Sequence, residues 1–230
     1  MFHKPIVSAQ DAAARVRGGD TVLVGGFLGC GSPHTIIQAL KEAGTSGMTL
    51  VCNDTAMHDL KTGNIRGVAH LVAGRQFDRI ITSHIGLNQE TQSQMNEGET
   101  IVELVPQGTL AERIRAGGAG LGGVLTPTGV GTEVETEAGK TLLTIDGRPY
   151  LLEMPLRGNV ALIKAKVADK AGNLVYSGTA RNFNPVMAMA ADLVIAEAEE
   201  IVEIGALDPD AVHTPSIFVD LIVKAERLEA

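Results

Sequence analysis

The stretch Thr21 to Leu40, TVLVGGFLGCGSPHTIIQAL, constrains the fold more than any other part of the chain. Its opening run carries no charge and no polar alternation, the pattern of a strand buried on both faces. Four glycines then fall within seven residues, and a periodic segment follows in which Ile36, Ile37 and Leu40 share one face. Ser32 is expected to cap that helix, with Pro33 at its first position and Gly44 closing it. A strand buried on both faces needs cover on both sides, so the unit reads as strand, turn and helix of an α/β protein.

The alternation continues on either side. SAQDAAARV is a helix with a capping box from Ser8 and Asp11. MTLVCND, FDRIITSHIG and TIVELVPQGT read as strands, NQETQSQMNEGE as a polar, exposed helix, and TLAERIRAGG as a helix ended by glycine. Strands separated by helices pair in parallel through right-handed crossovers, and ligands bind beyond their carboxyl ends. This puts GGFLGCG, CNDTA, SHIG and PQG on one rim. From about Gly122 the pattern changes to strands and turns, with DG and AGN as hairpin signals. ARNFNPVMAMAA reads as a short helix, and DLVIAEAEEIVEIG as a strand that returns to the sheet. The expected fold is α/β: a mostly parallel twisted sheet with flanking helices and a β-rich segment in the second half. No linker or repeat divides the chain, so residues 1–230 are expected to form one domain.

Charge narrows the function. The formal net charge of −8, with no basic cluster, argues against a nucleic-acid or anionic-membrane surface. No apolar run approaches the roughly 18 residues of a membrane span. The N-terminal segment lacks the pattern of a secretory signal, and Cys30 and Cys52 form neither a disulfide framework nor a metal knuckle. The expected setting is the cytoplasm.

Three features bear on chemistry. The first is the glycine mouth, Gly25, Gly26, Gly29 and Gly31, which strips side chains where a ligand could approach backbone N–H groups before a helix N-terminus. A tight strand-to-helix turn accounts for the same glycines equally well. No lysine follows Gly31, so it is not a phosphate loop of the GxxxxGK[ST] type. The second is RAGGAGLGG, where Gly118, Gly120 and Gly123 satisfy GxGxxG in the wrong context, after a helix and before no helix. A backbone-close loop lining the same rim is the expected role. The third is the set of polar side chains at strand ends: Asn53, Asp54, Ser83, His84, Glu90 and Gln107. A neutral amide at Gln107, between Pro106 and Gly108, suits donation to a developing oxyanion or a carboxylate, although a turn residue satisfying local backbone would look the same. His84 reads as a core or supporting histidine. The histidines have no metal-ligand spacing, GxSxG is absent, and neither cysteine has a histidine partner in sequence. No acidic residue falls in the glycine mouth, and no glutamate reads as set in the small, apolar surroundings that suit a nucleophilic carboxylate.

These residues resemble a known family. DTVLVGGFLGCGSP, through Gly25, Gly26, Phe27, Gly31 and Pro33, is similar to the first signature of the class I coenzyme A transferases. VPQGTLAERIRAGGAGLGGVLTPTGVGT resembles the family's most extended shared block, and ARNFNP and EAEEIVEIGALDPDAVHTP its closing segments. The resemblance runs from about residue 6 to 225 and is to the alpha (A) subunits, most of all to the bacterial acetate, butyrate or acetoacetate group. It implies a beta subunit that carries the catalytic glutamate and most coenzyme A contacts, with no catalytic residue in this chain. It implies acyl-CoA and a short-chain carboxylate as substrates, no cofactor or metal, and an α2β2 or α4β4 assembly. Carried over, Gln107 would hold the carboxylate or acyl oxygen, Asn53 and Asp54 would line the acyl site, and Phe27 with Gly25, Gly26, Gly29 and Gly31 would shape its wall. Asp54 departs from the paired asparagine of some relatives. A non-catalytic acyl-CoA or sugar-phosphate binding module on the same type of sheet is the alternative, and a dinucleotide-dependent oxidoreductase rests only on the misplaced GxGxxG.

Overall fold

A computed structural model describes residues 3–137 and 139–226. In chain order, β1 (Ile6–Val7), α1 (Ala9–Ala13), β2 (Thr21–Val24), α2 (His34–Ala43) and β3 (Met48–Cys52) open the fold. A small ladder of β4 (His58–Asp59) and β5 (Asn64–Ile65) precedes α3 (Ala69–Ala73), β6 (Phe77–Thr82), α4 (Gln89–Asn96), β7 (Ile101–Leu104) and α5 (Gln107–Gly118). Then come β8 (Val124–Thr126), α6 (Glu133–Thr136), β9 (Thr141–Ile145), β10 (Arg148–Glu153), β11 (Gly158–Asp169) and β12 (Leu174–Val175). The chain closes with α7 (Asn184–Met189), β13 (Ala191–Val202) and β14 (Leu221–Lys224).

The main sheet has nine strands in the order β1-β14-β13-β11-β2-β3-β6-β7, with β12 paired to β11. All its ladders are parallel except that of β12. The β-rich second half divides in two. β8, β10 and β9 form a separate antiparallel sheet, whereas β11 and β13 enter the main one. Alternation along the strands explains the two cores. Val22, Val24, Leu50, Ile80 and Leu162 face α1, α2 and α3, while Leu23, Val51, Ile81 and Ala161 face α5 and α7. The strand order reverses at β2, which lies between β3 and β11, so the crevice of a doubly wound sheet opens at the end of β2.

Several local expectations hold. Ser8 Oγ accepts from Asp11 N–H at 3.0 Å, and Gly44 ends α2 in the left-handed conformation. The cap of α2 is different. Pro33 occupies the N-cap position and Ser32 makes no capping bond. Oε2 of Glu197, on β13, accepts from Thr35 N–H at 2.8 Å and Ile36 N–H at 3.1 Å. A carboxylate does this better than a hydroxyl because its charge also opposes the helix dipole.

Candidate active site

The crevice at the end of β2 is floored by a tight turn. Phe27 N–H donates to Cys30 O at 2.9 Å and Cys30 N–H to Phe27 O at 2.8 Å, while Leu28 and Gly29 between them hold φ of 49° and 87°. Positive φ at both central positions marks a type I′ turn. Leucine is costly there, and the surroundings hold it: Leu28 N–H donates to both oxygens of Asp54, at 3.1 and 3.2 Å.

Asp54 leaves β3 only 5 % exposed. Its carboxylate also takes Ala56 N–H at 2.8 Å and Asn53 Nδ2 at 2.9 Å. Burial pushes its pKa up, and the Leu28 and Ala56 N–H groups and the Asn53 amide oppose that shift. Because Asn53 must point its nitrogen at Asp54, its Oδ1 faces away and accepts from Gln107 Nε2 at 2.7 Å. The backbone carbonyl of Asn53 is held by Ser83 Oγ at 2.6 Å and Thr82 Oγ1 at 3.2 Å.

Gln107 is the first residue of α5 and is exposed. The strand ends at Leu104, so the expected strand through Gln107 is instead a short joint of Val105 and Pro106 into the helix. A primary amide has two N–H donors, and the bond to Asn53 uses one. The opening N–H groups of α5 have no intrahelical partner, no acidic residue lies in its first turn, and open space surrounds Gly108. The fixed amide and the helix N-terminus together suit an approaching carbonyl or carboxylate oxygen.

Of the two readings of the glycines, the tight strand-to-helix turn accounts for three of them. A Cβ at Gly25 would lie 1.8 Å from Asn184 Oδ1, one at Gly26 2.1 Å from Ser32 Oγ, and one at Gly31 2.5 Å from Ala180 O. The close approach at these three positions is made by the chain itself. At Gly29 the nearest atom would be 3.5 Å away, so only its positive φ demands glycine. Phe27 stands 45 % exposed beside them.

Two acidic residues also depart from expectation. The Asp54 carboxylate does reach the glycine mouth, through Leu28. Glu197 is only 1 % exposed and lies between Ala196 and Ala198, the small apolar setting that no glutamate was expected to have. Burial raises its pKa, opposed by the Thr35 and Ile36 N–H groups and by Lys164, whose Nζ is 3.7 Å from Oε1. The signal was present in sequence as one charge inside the apolar run LVIAEA. Glu197 borders a cleft of about 1150 Å³ behind the turn, lined also by Leu28, Gly29, His34, Arg66 and Lys164. Of the other polar candidates, Ser83 supports Asn53, His84 is exposed rather than in the core, and Glu90 lies on α4 bonded to Gln94. Burial pushes the Cys52 thiol far up, which removes its nucleophilicity, whereas Cys30 is exposed on the turn.

Gly118, Gly120 and Gly123 do not line the rim. Gly118 belongs to the last turn of α5, packed on Met189, and Gly123 packs on Glu153 O. At 1.5 Å per residue the far end of α5 lies about 17 Å from Gln107.

Sheet and rim together define an α/β protein with an oriented amide and free helix donors at the carboxyl ends of its strands. Residues 6–225 match the family model described as Coenzyme A transferase. The chain is 49 % identical over 222 residues to acetate CoA-transferase subunit alpha of Escherichia coli, covering 96 % of this chain and 97 % of that one. It is 44 % identical to the acetoacetyl-CoA:acetate/butyrate CoA transferase alpha subunit of Clostridium acetobutylicum, covering 97 % and 99 %. Among solved structures, an acyl-CoA transferase of Escherichia coli O157:H7 in a thioester complex with CoA superposes with a TM-score of 0.86 at 21 % identity. That match covers 97 % of this chain but only 47 % of the other, so this chain spans about half of it. Glutaconate coenzyme A-transferase of Acidaminococcus fermentans gives 0.84 at 18 % identity, covering 96 % and 75 %. The chain belongs to the coenzyme A transferase family and is an alpha-type subunit of such an enzyme.

Proposed function

We propose that this chain supplies the acyl and carboxylate pocket of a short-chain acyl-CoA:carboxylate CoA-transferase of the acetate, butyrate or acetoacetate type. A beta subunit, present in equal number, would complete the cleft with its glutamate. The observation that carries the reading is the relay from Leu28 through Asp54 and Asn53 to Gln107, which fixes a donor amide at the rim. In the proposed course, the beta-subunit carboxylate attacks the thioester carbonyl, and the tetrahedral oxyanion collapses to an acyl-glutamyl anhydride with release of CoA thiolate. The thiolate then attacks the glutamyl carbonyl and expels the first carboxylate. An incoming carboxylate takes the CoA by the reverse steps. Gln107 and the N-terminus of α5 serve the oxyanions, and because they are already oriented they need no reorganisation as charge develops. CoA enters as substrate and no other cofactor is called for. Two free cysteines suit a reducing cytoplasm, and no helix among the described residues is long and apolar enough to cross a membrane.

The test is co-expression with and without a beta subunit, assayed with acetoacetyl-CoA and acetate. Activity is expected only from the complex. Full turnover by this chain alone, or CoA trapped on one of its own glutamates, would overturn the proposal.

A further inference from the structure

We propose that Asn182 and Asn184 are positioning residues for the transferase reaction, a clamp that sets the glycine turn and, through it, the amide of Gln107. The inference rests on the reading that Gln107 serves the reacting oxygen.

The two side chains reach the turn from a segment more than 150 residues away in sequence. Asn184, fully buried at the start of α7, accepts from Lys164 N–H through Oδ1 at 3.0 Å. Its Nδ2 donates to Gly31 O at 3.1 Å and Ala180 O at 2.8 Å. Both N–H groups and the oxygen of that amide are engaged in one orientation, and the oxygen fills the space beside Gly25 that a Cβ would need. Asn182 spans the turn, holding the chain on both sides of it. Its Oδ1 accepts from Gly26 N–H at 3.2 Å, and its Nδ2 donates to Cys30 O at 3.0 Å. The turn is thus gripped at Gly26, Cys30 and Gly31 from one side and at Leu28 by Asp54 from the other. Asp54 orients Asn53, and Asn53 orients Gln107. A shift of the turn is therefore transmitted to the donor amide. Aspartate cannot replace Asn184, because it would set an oxygen against the carbonyls of Gly31 and Ala180.

The experiment uses the reconstituted complex with the beta subunit and separates kcat from KM. Asn184→Ala and Asn182→Ala are expected to lower kcat by roughly a hundredfold, the scale of a misplaced catalytic group, with KM for acyl-CoA little changed. Met187→Ala, a buried position on the same helix with no bond to the turn, is the control at matched loss of melting temperature. Gly25→Ala is expected to cripple the enzyme beside Asn184 but to add little in an Asn184→Gly background, since the clash is then gone. Should Asn184→Ala fail to assemble, Asn182→Ala decides. A kcat loss no greater than that of Met187→Ala, or a Gly25→Ala penalty indifferent to residue 184, overturns the clamp. An inactive wild-type complex would instead count against the functional reading, so the two failures are distinguishable.

Discussion

Gln107 Nε2 and Asn53 Oδ1 lie 2.7 Å apart, joined across 54 positions of sequence. The bond takes one amide hydrogen of Gln107 and leaves the other at the rim, beside the open N-terminus of α5.

Replacing Gln107 by alanine should therefore lower turnover of the complex by roughly tenfold to a thousandfold, the scale of a lost oxyanion donor. Assembly should be untouched, because Gln107 is exposed and holds up nothing beyond Asn53. Steady-state kinetics and gel filtration check both halves, and unchanged turnover would remove Gln107 from the site.

Asp54→Asn should change how the protein responds to acid. The folded-state pKa of Asp54 lies above the ordinary 3.8, chiefly because of burial. Its contribution to stability is then fully present below 3.8 and is lost as pH rises through the raised folded value. Wild type should lose stability with rising pH across that window relative to Asp54→Asn, which cannot titrate there. Urea midpoints of the two proteins at a series of acidic pH values report the difference, and parallel curves would contradict it. Activity of wild type should fall on acidification over the same window, as the carboxylate that accepts the Leu28 N–H is protonated.

Glu197→Ala removes the acceptor for two N–H groups at the start of α2 and leaves Lys164 without its buried partner. A loss of about 1–3 kcal/mol is expected from the cap and the unpaired groups together. Glu197→Gln keeps an oxygen for Thr35 and Ile36 and should cost less. Denaturant titration of both variants is the check; equal losses would mean that the charge, rather than the capping geometry, matters.

Gly26→Ala and Gly29→Ala should differ although both glycines have positive φ. At Gly29 only the conformational cost of roughly 1–2 kcal/mol applies, since no neighbour is closer than 3.5 Å. At Gly26 the added carbon also meets Ser32 Oγ at 2.1 Å, so melting temperature and activity should fall further. Equal effects would refute the steric argument.

Much of this protein was legible in its residues. TVLV and MTLVC announce buried strands because short, largely apolar runs between turn and helix signals fit a sheet covered on both faces, and the helices between the strands require parallel pairing. Asn53 was recognisable as a polar side chain at a strand end, and Gln107 as one at the same rim, although it opens a helix rather than ending a strand. The role of Ser32 and the place of Gly118–Gly123 were not, and the glycines stayed open between a ligand's approach and a tight turn, because each depends on what packs against it from elsewhere.

Local pattern determined the alternation of strands and helices, the rim where they end, and the chemical types gathered there, since hydrophobic period and turn propensity act over a few residues. Tertiary structure alone decided that Glu197 caps α2, that Asp54 holds the turn at Leu28, and that Asn182 and Asn184 occupy the space left by Gly25 and its neighbours. Those contacts join segments 26 to 162 residues apart, and a hydrogen bond depends on distance and angle, which one-dimensional order does not contain.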